Sequence, residues 1–210
     1  MDIKSIDKNK LIKKIGVSIL GITIMAQGVS LFLMLGVGID PISVFLDGLT
    51  QFGLSFGMAQ TFLNLVMITL SLIFFRKYVG PSTVVALLFL GPLFDLLIHL
   101  EGPWIHPALP IPWKIIFMIL AQLAFALGVS LYLSSELGGS PCDTPGVAIS
   151  KMKNWDYGIV RVVVDGTYFV TGAFLGGTVG VGTICCVLLT GPLSQVFRPY
   201  CNRFVEKLCQ

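Results

Sequence analysis

The chain has 210 residues, of which 55% are hydrophobic and 12% are charged, and its formal net charge is +3. A soluble domain typically carries about a quarter charged residues, so this composition excludes a water-facing globule. The positive charge lies in short segments between long apolar runs, which excludes a basic surface for nucleic acid. The mean hydropathy of +0.88 agrees with this reading. The composition predicts an all-α, polytopic membrane helix bundle.

Six apolar segments are long enough to cross a hydrocarbon core of roughly 30 Å. The first, Ile15 to Gly36, follows a lysine-rich N-terminus. It is longer than the apolar part of a secretion signal and has no small-residue cleavage site after it, so we expect it to be retained. The predicted spans lie near residues 13–36, 57–75, 82–100, 113–136, 157–176 and 182–199.

Two shorter apolar segments, 41–52 and 141–152, separate the first two spans of each half. At about twelve residues each they are too short to cross a bilayer. They open with Asp40-Pro41 and Ser140-Pro141, and a short polar residue followed by proline is typical of a helix start. We therefore predict two interfacial or re-entrant helices.

Lysine and arginine are distributed unevenly between the predicted loops. With the N-terminus inside, the outer segments contain only Lys114, and Trp104 and Trp113 flank the outer loop as interfacial residues do. The sequence therefore predicts cytosolic termini at 1–14 and 200–210. The residues assigned to the cytosolic side are Lys4, Lys8, Lys10, Lys13, Lys14, Arg76, Lys77, Lys151, Lys153, Arg198, Arg203 and Lys207.

The chain also contains an internal repeat of three spans. We place the first copy at 15–100, an outer linker at 101–112 and the second copy at 113–199. Glycine and proline make up only about 7% and 5% of average sequences, so their recurrence is not a result of apolar composition. Three spans is an odd number, so equivalent spans must run in opposite directions. The matches are Gly28-Val29-Ser30-Leu31 with Gly128-Val129-Ser130-Leu131, Gly38 with Gly138, Pro41 with Pro141, Gly57 with Gly158, Val79-Gly80 with Val179-Gly180, Thr83 with Thr183, and Gly91-Pro92-Leu93 with Gly191-Pro192-Leu193.

The second copy resembles the YczE-like membrane proteins of bacteria, relatives of the YitT and YyaS group. The resemblance is carried by ELGGSPCDTPG, which begins at Glu136, and by the later motifs Gly180-Val181-Gly182-Thr183 and Gly191-Pro192. The first copy, with GVGIDPISVFLDGLTQFGLSFG, is similar to the family in the same way, so the resemblance covers about residues 15 to 198. It implies a multi-pass protein of the bacterial inner membrane and does not specify an activity.

The family pattern also bears on individual residues. Pro141, Asp143 and Arg161 match it, and Asp165 stands where the resemblance implies a carboxylate, more often a glutamate. Aspartate supplies the same chemistry on a shorter side chain.

The first candidate site is the pair of short-helix starts, at Asp40 and at Ser140 to Asp143. The first N–H groups of a helix have no intrahelical partner, so two such ends could converge on a ligand. The carboxylates of Asp40 and Asp143 disfavour an anion there and favour protons or cations. Ordinary helix capping is the alternative explanation for both aspartates.

The second candidate site is formed by polar residues inside spans. In the repeat register Gln60 matches Arg161 and Asn64 matches Asp165, and each pair has i, i+4 spacing on one helix face. Ionisable residues within spans are costly and usually face a cavity or a partner. We predict that these four line one central polar cavity. The starts at Pro41 and Pro141 should flank it, and a structural Arg–Asp clasp is the alternative.

The third candidate is Asp95, four residues before His99 on the third span. A membrane aspartate with a nearby histidine could relay protons, although His99 could also simply face water.

No enzyme motif, phosphate-binding loop or dinucleotide fingerprint is present, so we expect no enzyme and no cofactor. The cysteines show no metal-ligand spacing, so we expect no metal. They are Cys142, Cys185, Cys186, Cys201 and Cys209.

Inverted repeats are common in secondary transporters, whose site lies at the repeat interface. We therefore expect a permease for a small molecule or ion that works by alternating access. A substrate-binding subunit of an energy-coupling vitamin transporter and a non-transporting accessory or scaffold protein are the open alternatives. Membrane lipid is the expected surrounding, nucleic acid is not a partner, and a homodimer is an open question.

Overall fold

The computed structural model describes residues 8–76, 79–138, 140–155 and 157–209. Within these ranges the chain forms eight α-helices joined by short connections. They are α1 (Lys8–Leu35), α2 (Pro41–Thr50), α3 (Phe56–Phe74), α4 (Pro81–Glu101), α5 (Ile111–Ser134), α6 (Thr144–Lys153), α7 (Tyr157–Phe174) and α8 (Val181–Cys209).

Five helices, namely α1, α3, α4, α5 and α8, are long and apolar enough to cross a membrane. A helix suits hydrocarbon because it satisfies its backbone N–H and C=O groups within the segment. The predicted span near 157–176 coincides with α7, whose described apolar part is the shorter stretch Val162–Phe174. The polytopic membrane helix bundle is confirmed, and the count of six spans stays a prediction.

The last helix differs from its predicted bounds. It continues past residue 199 to Cys209, with Pro192 and Pro199 inside it, so the described part of the predicted C-terminal segment is helical. Cys201 and Val205 are buried against Val17 in a small cluster of their own. This contact explains why the helix does not end at its second proline.

The two short helices begin differently. Helix α2 begins at Pro41 as predicted, whereas α6 begins at Thr144, three residues after Pro141. Pro145 is the reason. A helix begun at Pro141 would place Pro145 fifth, where its missing N–H removes a hydrogen bond to the carbonyl of Pro141 and its ring clashes with that carbonyl. A start at Thr144 places Pro145 in the first turn, where proline is tolerated.

Helices α1 and α5 cross in close contact through glycines. A Cβ added to Gly28 would lie 2.6 Å from Phe125 N, and one added to Gly128 would lie 2.6 Å from Met25 Cα. The two contacts exchange equivalent repeat positions. Moving from residue 25 to 28 along α1 corresponds to moving from 128 to 125 along α5, so the two helices run antiparallel.

Two hydrogen bonds between loops and helix starts also exchange equivalent repeat positions. The N–H of Gly182 donates to the carbonyl of Val37 at 2.7 Å, and the N–H of Ser82 donates to the carbonyl of Leu137 at 3.2 Å. Each bond joins the start of the last helix in one copy to the loop after the first helix of the other copy. The two predicted copies are therefore bonded to each other at positions that are equivalent in the predicted repeat.

Helix α2 packs against α7 of the other copy. A Cβ on Gly172 would lie 2.5 Å from Phe45 Cα, and Phe45 also stacks on Tyr168 with ring centroids 5.7 Å apart. Asp47 accepts a hydrogen bond from the N–H of Thr178 at 2.7 Å. The short helix of the first copy is thus anchored on the second copy.

Candidate binding cavities

The larger of two cavities lies between α5, α7 and α8, with the start of α2 in its wall, and has a volume of about 970 Å³. Most of its lining is apolar. Val162 in its wall is 73% exposed, so the cavity is open to the surroundings on one side. The polar side chains in the lining are those of Asp40, Asp165, Thr183, Thr190 and Ser194.

The smaller cavity, about 70 Å³, lies among α1 to α5 and the segment that leads into α6. It shares part of its wall with the larger cavity, at Phe125, Val129 and Ile42, and the side chain of Asp40 lines both. Asp40 therefore stands at the junction of the two spaces. The polar residues that line the smaller cavity are Asp40, Ser43, Gln60, Ser140, Cys142 and Asp143.

Asp40 is the N-cap of α2. Its carboxyl group accepts a hydrogen bond from the N–H of Ser43 at 3.3 Å, and Pro41 follows in the first turn. This geometry satisfies one of the free N–H groups of the helix. The capping explanation for Asp40 is confirmed, and the same carboxyl group also faces the cavities.

Ser140 and Asp143 form a local hydrogen-bonded turn before α6. The Ser140 hydroxyl donates to Asp143 Oδ2 at 2.9 Å and accepts from the Asp143 N–H at 3.3 Å. Asp143 occupies the N-cap position without a side-chain cap bond to the helix. The structure therefore brings Asp40, Ser140 and Asp143 to one small cavity, as expected from the two short-helix starts.

Gln60 and Asn64 are both buried on α3 and bonded to each other. Gln60 Nε2 donates to Asn64 Oδ1 at 2.9 Å, and Asn64 Nδ2 donates to the carbonyl of Ala86 at 3.4 Å. Cys142 Sγ also donates to Asn64 Oδ1, at 3.5 Å. Gln60 lines the smaller cavity, whereas Asn64 is directed into the contact with α4 and lines neither cavity.

Asp165 is half-buried on α7 and lines the larger cavity. Arg161 belongs to the same helix, one turn earlier, but its side chain lies outside the described residues. The predicted Arg161–Asp165 pair thus stays a prediction. Gln60 and Asp165 line different cavities, so the four residues do not line one polar cavity as expected. Pro141 is fully buried and lines neither cavity.

Asp95 has a different position from the other candidates. Its carboxyl oxygens accept hydrogen bonds from Ser55 Oγ at 2.7 Å and from the N–H of Gly57 at 2.8 Å, at the start of α3. His99 is exposed. Asp95 is not among the residues lining the two cavities, and it joins α3 to α4.

The sequence reasoning missed a buried polar group that is bonded to the wall of the larger cavity. Gln122 is buried on α5 and its Nε2 donates to Thr190 Oγ1 at 3.0 Å. Gln122 Oε1 and Ser194 Oγ are buried with no hydrogen-bond partner among the described residues. The sequence did contain a signal for these polar residues. Gln122 lies in the middle of a predicted span, and Thr190 and Ser194 have i, i+4 spacing on α8.

The arrangement is suited to binding. An occupant of the larger cavity would meet apolar side chains over most of its surface and oxygen atoms at a few points, as is typical of small-molecule sites. Among the described residues, no group of three or more His, Cys, Asp or Glu side chains could hold a metal ion.

Comparisons with known proteins give a family without a known activity. A family model described as "Family of unknown function (DUF6198)" matches residues 12–199. The chain is 28% identical to the uncharacterized membrane protein YczE of Bacillus subtilis, over 85% of this chain and 82% of the relative. It is 25% identical to the uncharacterized protein YyaS of the same organism, over 90% and 94%. An uncharacterized protein of Haemophilus influenzae is 26% identical over 88% and 83%. No solved structure matches the chain.

Proposed function

The chain belongs to the family of unknown function DUF6198, and from that premise we propose that it is a membrane permease for a small molecule or ion. The proposed mechanism is alternating access between two inverted three-span repeats. The observation that carries the proposal is the pair of cavities, of about 970 and 70 Å³, that meet at Asp40 between the two copies.

The inverted repeat is supported by contacts that exchange equivalent positions. The α1–α5 crossing pairs Gly28 with Phe125 and Met25 with Gly128, and the helices are antiparallel. A residue pair that recurs with its partners exchanged is the signature of two-fold symmetry in protein interfaces. If 101–112 is the outer loop and both termini are cytosolic, the axis lies in the membrane plane, as in many secondary transporters.

The larger cavity is the proposed substrate site. Its volume lies within the range of about 300–1,000 Å³ usual for ligand pockets. Gln122 Oε1 and Ser194 Oγ are buried next to this wall without a hydrogen-bond partner among the described residues, and a buried unpaired polar group costs about 1–3 kcal/mol. Asp165, Thr183 and Thr190 lie in the wall and could bind the polar groups of a substrate. An accessory protein with a dry repeat interface has no need of such a space.

The test is to fill the cavity without disturbing the fold. Gly191 lies in the cavity wall, and a Cβ added there has no neighbouring atom within 4 Å, so Gly191→Phe should fold normally and block the site. The matched control is Gly16→Phe, since Gly16 is also free of neighbours but lies on α1 outside both cavities.

Proteoliposomes would be loaded with a small-molecule extract of bacterial cells, and the retained compounds would be identified by mass spectrometry. The wild type and Gly16→Phe should release at least one compound that protein-free liposomes retain, and Gly191→Phe should retain it. Release by all three proteins would contradict the cavity as the site. Release by none, with the proteins folded, would argue against a permease.

A further inference from the structure

One pair of repeat positions is packed in the first copy and separated in the second. In the first copy, Thr61 of α3 lies directly against Gly91 of α4, and a Cβ on Gly91 would be 2.6 Å from the carbonyl of Gly57. The equivalent of Thr61 is Val162, at the offset of 101 that pairs Gly57 with Gly158, and the equivalent of Gly91 is Gly191, at the offset of 100 that pairs the two Gly-Pro-Leu motifs. These two line the larger cavity, and Gly191 has no neighbour within 4 Å of its Cβ position.

A latch accompanies the packed pair. Asp95 of α4 accepts hydrogen bonds from Ser55 Oγ at 2.7 Å and from the N–H of Gly57 at 2.8 Å. Both donors belong to the start of α3, where N–H groups have no intrahelical partner and where negative charge is favourable. The repeat position of Asp95 in the second copy is Gln195, which is neutral and exposed. At the Asp95 position the first copy therefore has a carboxyl group and the second copy has an amide.

We propose that the α3–α4 and α7–α8 contacts alternate, and that Asp95, Ser55 and Gly57 form the latch that holds the present state. In the other state α7 closes on α8, with Val162 against Gly191, while α3 leaves α4 and a cavity opens there. This inference rests on the proposed function, because alternating access requires a second state. Small residues let membrane helices approach closely, so Gly191 leaves room for α7 to dock.

The latch residues are positioning residues for the transport cycle. The structure shows the state with α3 on α4, and the hydrogen bonds of Asp95 to Ser55 and Gly57 stabilise this state. Weakening the latch should raise the population of the other state, since a two-state equilibrium follows the difference in contacts between its states.

The experiment measures α7–α8 closure by cysteine cross-linking in membrane vesicles. The background is the full chain with its five cysteines replaced by serine or alanine. Val162→Cys with Gly191→Cys is the reporter pair. Val163→Cys with Gly191→Cys is the matched control, because Val163 is exposed at the same height and is not part of the cavity lining.

The reporter pair should cross-link and the control pair should not. Adding Asp95→Asn, which replaces the charged acceptor with a neutral amide, or Ser55→Ala, which removes the hydroxyl donor, should raise the cross-linking rate about fivefold, the equivalent of one typical bond. If Asp95→Asn reduces the yield of folded protein, Ser55→Ala is used to test the latch instead. A reporter rate no higher than the control, or a rate that neither latch variant changes, would overturn the proposal.

Cross-linking and compound release together distinguish a failure of the latch proposal from a failure of the proposed function. Cross-linking that responds to the latch in a protein that releases no compound from proteoliposomes supports the two states and refutes transport. Release of a compound without any reporter cross-link supports transport and refutes this pair of states.

Discussion

The helix pairs α3–α4 and α7–α8 occupy equivalent places in the repeat, yet only the first is packed. Gly91 lies against Thr61 and Gly57, whereas Gly191 lies in the wall of a cavity of about 970 Å³. Both glycines precede a proline in the same Gly-Pro-Leu motif. The motif therefore permits a close helix approach without requiring it. The α3–α4 pair is also joined by the hydrogen bonds of Asp95 to Ser55 and Gly57.

The largest expected effect comes from adding a side chain to each of the two glycines. Gly91→Leu should destabilise the protein by about 3 kcal/mol, because overpacking costs about 1–3 kcal/mol and here the added atoms also meet backbone. Gly191→Leu should change stability by less than about 0.5 kcal/mol, because its side chain enters empty space. Thermal unfolding in detergent would compare them, and equal losses would mean that α7 and α8 are packed as α3 and α4 are.

The next effect concerns Asn64 and its repeat equivalent Asp165. Asn64 is fully buried, so Asn64→Asp should cost about 2.5 kcal/mol, the scale for a charged side chain at mid-membrane. Asp165→Asn should leave stability within about 0.5 kcal/mol, since Asp165 is half-buried in a cavity wall. It should nevertheless abolish substrate release.

Stability and release would be measured on the same preparations. Unfolding of Asp165→Asn, with full activity restored by adding Arg161→Gln, would contradict this expectation. That result would identify a structural clasp between Arg161 and Asp165.

The smallest effect tests the latch itself. Asp95→Ala leaves the Gly57 N–H and the Ser55 hydroxyl without their acceptor and should cost about 1–2 kcal/mol. Gln195→Ala, at the equivalent exposed position, should be within about 0.5 kcal/mol of the wild type. Chemical unfolding of both variants would show the difference. A larger loss for Gln195→Ala would place the important contact in the second copy instead.

Much of the fold could be predicted because its signals are local or repeated. The apolar runs matched the long helices, and Asp40-Pro41 matched the start of α2, with Asp40 as its cap. The start of α6 at Thr144 was predictable in principle, since Pro145 four residues after Pro141 is incompatible with a helix begun there.

The placement of the candidate residues was predicted only in part, and their role in binding stays a prediction. Asp40, Gln60, Ser140 and Asp143 do line one cavity, and Asp165 lines the other. The sequence indicated which polar residues lie inside spans, but the face that each presents to a neighbour depends on how the helices are rotated and packed.

The partners of the remaining candidates come from distant parts of the chain. Asn64 is bonded to the carbonyl of Ala86 on the next helix. Asp95 finds its partners at Ser55 and Gly57, which lie about forty residues earlier in the chain. No spacing rule connects residues so far apart, because i, i+4 reasoning reaches only one helix turn.

The sequence by itself determined the membrane class and the helices, because hydropathy, proline and glycine act within one segment, and the inverted repeat stays a prediction. Only the tertiary structure shows that α3 packs on α4 at Gly91 while a cavity lies beside Gly191. Gly91 and Gly191 share the Gly-Pro-Leu motif, but Phe94-Asp95 follows one and Ser194-Gln195 follows the other, and the two glycines face different neighbours across the helix pair. Asp95 is within reach of the α3 start and Gln195 is exposed, so equivalent motifs have different neighbours and the cavity lies beside only one of them.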